Sequence, residues 1–222
     1  MQQFPAFDTV ILAGGGASRM GGADKPGLAV GATPMLVLVA QAAAAAGTSR
    51  LIPVGPMRAG PVRDGLARLA AGRTGWLARV QEEPAGSGPV AGLRRGLAEV
   101  TAPWLVLLAA DLPFLTAAHV IALQTAGRLA AAESSEAAGV VSLDTTGRPQ
   151  WLTSCWQTSS LRTALAGYAG DSLRGVLAPL KSATIRLAVT PGAPPPWLDC
   201  DTPDDLAIAR RAWLVRAEDP GG

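Results

Sequence analysis

Histidine occurs once and cysteine twice in 222 residues. So few imidazole and thiolate groups exclude a structural zinc site, which draws its ligands from those two types. Cys155 and Cys200 stand far apart with no CxxC pairing, and two buried thiols are expected rather than a disulfide. His119 falls in the first turn of an expected helix, where a surface role is the simpler reading. No apolar run reaches the roughly 18 residues of a membrane span; the Ala-rich stretch Gln41 to Ala46 fits an ordinary helix. No basic segment precedes the first apolar strand as a signal peptide requires, so a cytoplasmic protein is expected. A net charge of +2 is too small to make nucleic acid or an acidic membrane the main partner. Lysine is scarce as well. Lys25 and Lys181 are the only lysines among 19 cationic side chains. Lys25 therefore suggests a position that uses a compact point charge rather than a guanidinium fork.

What the chain does have is nearly half apolar residues, 49%, in runs that alternate between strand-like and helix-like. Length and continuity predict one domain over residues 1–217, with the last residues, 218–222, as a disordered tail. Strands are expected at Phe7 to Leu12, Leu51 to Val54, Trp76 to Gln81, Trp104 to Ala110, Val140 to Leu143 and Thr184 to Val189. Helices are expected from a Thr33 cap to Gly47, and at Pro61 to Ala71, Pro89 to Val100, Ala117 to Ala132, Ser159 to Ala166, Ser172 to Leu180 and Pro203 to Arg216. Trp151 to Trp156 reads as less regular. Strands apolar throughout, alternating with helices, mean an α/β fold with a mostly parallel central sheet covered on both faces. The segment "WLVLLAA" is the most apolar and should be central. Ligands of such sheets bind beyond the carboxyl ends of the strands. The loops to examine are therefore the glycine loop after the first strand, "EEPAGSG", and "DLPF".

"VILAGGGASRMGGADK" runs from Val10 to Lys25. A P-loop needs Gly-Lys-Ser/Thr, but Lys25 lies between Asp24 and Pro26. A dinucleotide fingerprint needs a third glycine where Arg19 stands, and an acid about 20 residues on, which is missing. What remains is a run of backbone N–H groups that an anion can approach without Cβ interference, with Arg19 and Lys25 able to close on it. That combination suits a polyphosphate. Asp111 follows the most buried strand, where a carboxylate is costly unless it meets a cation or hydrogen bonds. Beside a nucleoside triphosphate the fitting cation is Mg²⁺. The competing role is a cap or loop acid, although Pro113 leaves Asp111 badly placed to cap a helix starting after Thr116. "DTPDDL" is a helix start in its own right, with Thr202 as cap and Pro203 at the first position; Asp199 and Asp201 lie outside it.

"LAGGGASRMGGADK" resembles the signature of GTP-using nucleotidyltransferases of the molybdenum cofactor guanylyltransferase-like family. "EEPAGSGPVAGL", "VLLAADLPFLT" and "DCDTPDDL" resemble three further family segments, in the same order. The resemblance implies a Rossmann-like, three-layer nucleotidyltransferase (GT-A-like) fold. It also implies nucleotide contacts from Leu12, Ala13, Gly14, Gly15, Gly16, Arg19, Lys25, Glu82, Gly88 and Asp111. Arg19, Lys25 and Asp111 would be catalytic, and Asp111 would hold Mg²⁺ together with either Asp199 or Asp201, of which Asp201 is chosen here. The implied reaction moves GMP from GTP to the phosphate of molybdopterin, releasing pyrophosphate. Maturation proteins of molybdoenzymes are implied as further partners. The chain departs from the pattern in three places: one extra residue between Arg19 and Lys25, Ala17 in place of a small hydroxyl, and no asparagine in Val54 to Met57. CTP as donor, a sugar or isoprenoid phosphate as acceptor, and a nucleotide-binding protein without turnover are the alternatives. LAGG rather than LAAG favours guanine.

Overall fold

The first strand, β1 (Phe7–Leu12), is buried at every position, as expected of a strand covered on both faces. A computed structural model describes residues 5–14 and 24–218. Beyond Lys25–Gly27, a single 3-10 turn, two-residue strands β2 (Ala29–Val30) and β3 (Thr33–Pro34) pair as a small hairpin. Gly31 makes its turn at φ +62°, a conformation that favours glycine. This hairpin takes Thr33 from its expected capping role, and helix α1 (Met35–Ala45) starts one residue past Pro34. Then follow β4 (Arg50–Val54), α2 (Gly60–Ala70), α3 (Pro89–Leu97), β5 (Trp104–Ala109) and α4 (Ala117–Glu133). The chain ends with β6 (Gly139–Leu143), β7 (Pro149–Gln157), α5 (Thr158–Ala166), α6 (Leu173–Leu177), β8 (Ser182–Arg186) and α7 (Pro203–Glu218).

The main sheet has six strands in the order β4-β1-β5-β7-β6-β8. All neighbours are parallel except β7, which is antiparallel to both β5 and β6. β5 is an inner strand, as its composition predicts. Its side chains alternate between two cores. Val106 and Leu108 pack with Val39, Leu66 and Leu123 from α1, α2 and α4. Leu105 and Leu107 pack with Leu93, Leu161 and Val176 from α3, α5 and α6. The result is a three-layer α/β fold. A third cluster seats α7 through Leu206 and Ala209 against Val30, Met35 and Phe114.

Three expectations need correction. Trp76 to Gln81 is not a strand: only Leu51↔Leu77 and Val54↔Val80 form isolated parallel bridges beside β4. Between them Ala78 N–H donates to Leu51 O at 2.9 Å and Val80 N–H to Pro53 O at 3.1 Å, but Pro53 has no N–H to return a bond, so the ladder is interrupted there; Trp76, anchored by its Nε1–H to Thr48 O at 2.9 Å, holds the segment's start. Trp151 to Trp156, read as less regular, lies inside β7, but the irregularity is real. On the β6 side Val141 pairs with Ser154 while Ser142 pairs with Gln150, which leaves a bulge from Trp151 to Thr153. The last strand also falls earlier than expected, at Ser182–Arg186 instead of Thr184 to Val189.

Candidate active site

The carboxyl ends of β1, β4 and β5 lie side by side at one edge of the sheet, because the three are parallel neighbours. β7 runs the other way, so its start arrives at that same edge. Lys25, Asp111 and Asp201 meet there. Lys25 opens the 3-10 turn, and Asp111 comes just after β5. Asp201 precedes the start of α7, where Thr202 Oγ1 accepts from Asp205 N–H at 3.2 Å and Asp205 Oδ2 accepts from Thr202 N–H at 2.8 Å. This capping box is the helix start read in "DTPDDL", and it fixes the residue before it. The Lys25 ammonium makes ion pairs with Asp111 and Asp201 together. Burial acts against its charge, but the two carboxylates outweigh burial and hold its pKa above the ordinary lysine value. Asp199 reaches solvent nearby; partial burial, then Asp201 and Asp111, push its carboxyl up.

Asp111 Oδ1 is buried with no hydrogen-bond partner. An orphaned, hard anionic oxygen beside a second carboxylate fits a divalent cation of the Mg²⁺ type. Such an ion takes one or two protein carboxylates and fills its remaining positions with phosphate oxygens and water. No cluster of three or more metal-ligating side chains forms among the described residues, so the protein's share would be these two groups. Asp111 does not cap α4. Thr116 does so in a box with His119, whose Nε2 also meets Ala188 O at 2.9 Å. His119 is thereby assigned a structural task.

On the β1 side of the cluster, Leu12 and Ala13 are buried, and Ala13 N–H donates to Val54 O at 2.7 Å. Gly14 follows at the surface. Glu82 is brought beside it: a Cβ on Gly14 would lie 3.3 Å from Glu82 Oε1. Glu82 is 6% exposed; Oε1 accepts from Gly86 N–H at 3.1 Å, while Oε2 is buried and unpartnered. It is therefore not a solvated loop acid. Gly88, at φ +90°, turns the chain into α3 with Pro89 at the first position. Of the expected nucleotide contacts, Gly15, Gly16 and Arg19 lie outside the described residues.

Arg58 is a site residue that the sequence pattern does not flag. Its Nε lies 2.7 Å from both carboxylate oxygens of Asp24, and its Nη2 donates to Ala13 O at 2.7 Å. One guanidinium thus ties the two ends of the glycine loop together. The available signal was an arginine just past the carboxyl end of β4. On the β7 side a cleft of about 630 Å³ reaches from Asp111 and Asp201 to Trp151, Trp197 and Arg148. Trp156 takes no part: it is fully buried in the core under α5 and α6.

Residues 9–185 match the MobA-like NTP transferase domain. Over 227 aligned residues the chain is 30% identical to a molybdenum cofactor guanylyltransferase of Rhodopseudomonas palustris, covering 96% of this chain and 97% of that one. A protein of the same name from Cupriavidus taiwanensis is 34% identical over 142 residues, 64% of each chain. Among solved structures, a nucleotidyl transferase from Methanothermobacter thermautotroptrophicus superimposes with a TM-score of 0.71 over 95% of this chain and 98% of that one. Its identity is 19%, so it speaks for the fold.

Proposed function

The chain belongs to the MobA-like NTP transferase family and is a nucleotidyltransferase, and from that premise we propose that it transfers GMP from GTP to the phosphate of molybdopterin. The observation that carries this reading is the meeting of Lys25, Asp111 and Asp201 beyond β5, on the side of the sheet where β1 also ends. The similarity to molybdenum cofactor guanylyltransferases over nearly the whole chain supports the choice of donor and acceptor. The LAGG sequence at Leu12 to Gly15 favours guanine over cytosine. Glu82 supports it too, since its free Oε2 beside Gly14 is an acceptor for an N–H donor of the nucleotide.

Asp111 and Asp201 would hold Mg²⁺, which when bound neutralises charge on the triphosphate. The chain's own groups do the rest. Lys25 supplies a fixed positive charge where negative charge grows as pyrophosphate leaves. Arg19, Gly15 and Gly16 are proposed to add N–H donors and a second cation. An oxygen of the acceptor phosphate attacks the α-phosphorus of GTP, and the bond to the β-phosphate breaks as the new one forms. A phosphate monoester is largely dianionic at neutral pH, so no general base is required. That agrees with a site whose nearest histidine caps a helix. Positioning and charge neutralisation carry the rate.

Pyrophosphate release, followed with each of the four NTPs, with and without molybdopterin and Mg²⁺, tests the reading. Release with GTP only when molybdopterin is present is expected. Release with CTP instead would make the protein a cytidylyltransferase. GTP binding without release under any pairing would favour a nucleotide-binding role without turnover.

A further inference from the structure

We propose that His119 is an acid-sensitive positioning residue: its neutral ring ties the start of α4, which follows Asp111, to the segment after β8, which leads to Asp201. The tie is a matter of geometry; its effect on turnover rests on the guanylyl-transfer reading above. Ala188 O can only accept a hydrogen bond, so His119 Nε2, 2.9 Å away, carries the ring hydrogen. Nδ1 is then an acceptor, and Thr116 N–H donates to it at 3.1 Å. Thr116 Oγ1 accepts from His119 N–H at 3.4 Å and lies 3.0 Å from Nδ1. This is a capping box in which an imidazole stands where Glu or Gln is usual. A Gln amide keeps its acceptor oxygen at any pH. Imidazole gives up its acceptor when it takes a second proton.

That proton would place Nδ1–H against Thr116 N–H, donor to donor. Nδ1–H could then turn only to Thr116 Oγ1, which already serves His119 N–H, and Thr116 N–H would lose its acceptor. The charge would also sit in the first turn of a 17-residue helix, where the peptide dipoles disfavour a cation. Of the elements packed on α4, α1, β5, β6 and β7 carry no charged side chain within their spans. β8 carries Arg186, whose Nη1 donates to Asp144 O at 2.8 Å. The Arg128 and Glu133 of α4 itself lie well beyond the first turn. Of the two tied segments, the one before α4 carries Asp111, and Leu187 to Thr190 carries no charge. The geometry therefore holds the neutral ring, and the tie is lost as pH falls into the range where imidazole becomes charged.

Both segments lead to the acids that meet Lys25. Leu112 and Leu115, between Asp111 and the cap, share a core with Leu187, just before Ala188. Beyond Ala188 the chain runs to Asp201 through Pro191, Pro194, Pro195 and Pro196, whose fixed φ limits how far the loop can absorb movement. Releasing the cap therefore shifts Asp111 relative to Asp201.

His119 is the chain's only histidine, so its imidazole NMR signals report on it alone. The Nε2–H tautomer is expected at about pH 7.5. His119→Gln keeps an acceptor for Thr116 N–H without a titrating group and serves as the reference. From about pH 7.5 to about pH 5.5, Mn²⁺ affinity and Mg²⁺-dependent pyrophosphate release from GTP and molybdopterin are measured for both proteins. Each is expected to fall about threefold to tenfold further in the native chain than in His119→Gln. The ratio cancels the titration of carboxylates and of the acceptor phosphate, which the two proteins share. An Nδ1–H tautomer would overturn the proposal, as would parallel pH profiles in the two proteins. A ratio that changes for urea stability but not for Mn²⁺ affinity would overturn the positioning role and leave His119 a cap alone. Absence of pyrophosphate release from both proteins at every pH would instead strike the guanylyl-transfer reading, with Mn²⁺ affinity still deciding on His119. Should His119→Gln fail to fold, the Thr116 amide of the native chain decides: it is expected to shift with the ring's own titration, and an amide that ignores the ring overturns the tie.

Discussion

The ammonium of Lys25 forms an ion pair with the carboxylate of Asp111, and the same nitrogen reaches Asp201. A lysine from the segment after β1 therefore offsets part of the charge of the two acids that a divalent ion would need. In the proposed transfer the lysine's charge would be released to the phosphates, and the two acids would hold a divalent cation in its place.

Lys25→Met should separate these two roles. Without nucleotide, the two acids lose their neutralising partner, and Mn²⁺ affinity measured by electron paramagnetic resonance is expected to rise. With GTP and acceptor, turnover is expected to fall about 100- to 1,000-fold, the scale of a lost donor in a preorganised electrostatic site. Unchanged Mn²⁺ affinity together with unchanged turnover would contradict both roles.

The sign of the Lys25 shift sets a pH expectation. Its folded pKa lies above 10.5, so the folded state holds this proton more tightly than the unfolded chain does. The stabilisation is fully present below the ordinary lysine value and disappears only as pH rises through the folded one. Thermal melts should therefore show no loss assignable to Lys25 between neutral and mildly alkaline pH, and Lys25→Met should not alter the profile there.

Arg58→Ala removes the tie between Asp24 and Ala13 O. The nucleotide KM is expected to rise more than kcat falls, because the loop is loosened while the acids stay in place. Arg58→Lys should rescue little, since an ammonium cannot make the forked contact and reach the carbonyl as well. Steady-state kinetics with GTP varied provides the check.

Gly55 adopts φ +145°, and a Cβ there would lie 2.8 Å from the backbone of Ala13 and Gly14. Gly55→Ala forces β4 away from the start of the glycine loop. A loss of about 1–3 kcal/mol is expected, read by urea denaturation, together with weaker GTP binding.

Cys155 and Cys200 are both fully buried thiols, each pushed up to about 12 by burial. At mildly alkaline pH neither should react with a thiol reagent until the chain is unfolded, when both should. Rapid labelling of the native protein would contradict their burial.

Much of this was legible in the sequence because it depended on local pattern. The unbroken apolar run of β5 marked an inner strand, and the acid after it is the one that the fold brings to Lys25 beside Asp201. "DTPDDL" contained its own capping box. Other features depended on partners distant in the chain. Trp76 to Gln81 has a strand's composition, but only two of its residues form bridges to β4. β7 looked irregular because its bulge interrupts alternation, and its antiparallel direction is set by β5 and β6. Arg58 carried little local signal, since its partners are Asp24 and a backbone carbonyl of β1's end.

Asp111→Asn tests whether the acid after β5 is the seat of the metal-assisted transfer. The substitution keeps the side chain's size while removing its charge and one of its anionic oxygens. In the native protein, Mg²⁺-dependent pyrophosphate release from GTP and molybdopterin is expected. In Asp111→Asn, folded by circular dichroism, the rate is expected to fall by at least about 100-fold. A rate close to that of the native protein would contradict the metal-holding role of Asp111 and the transfer built on it.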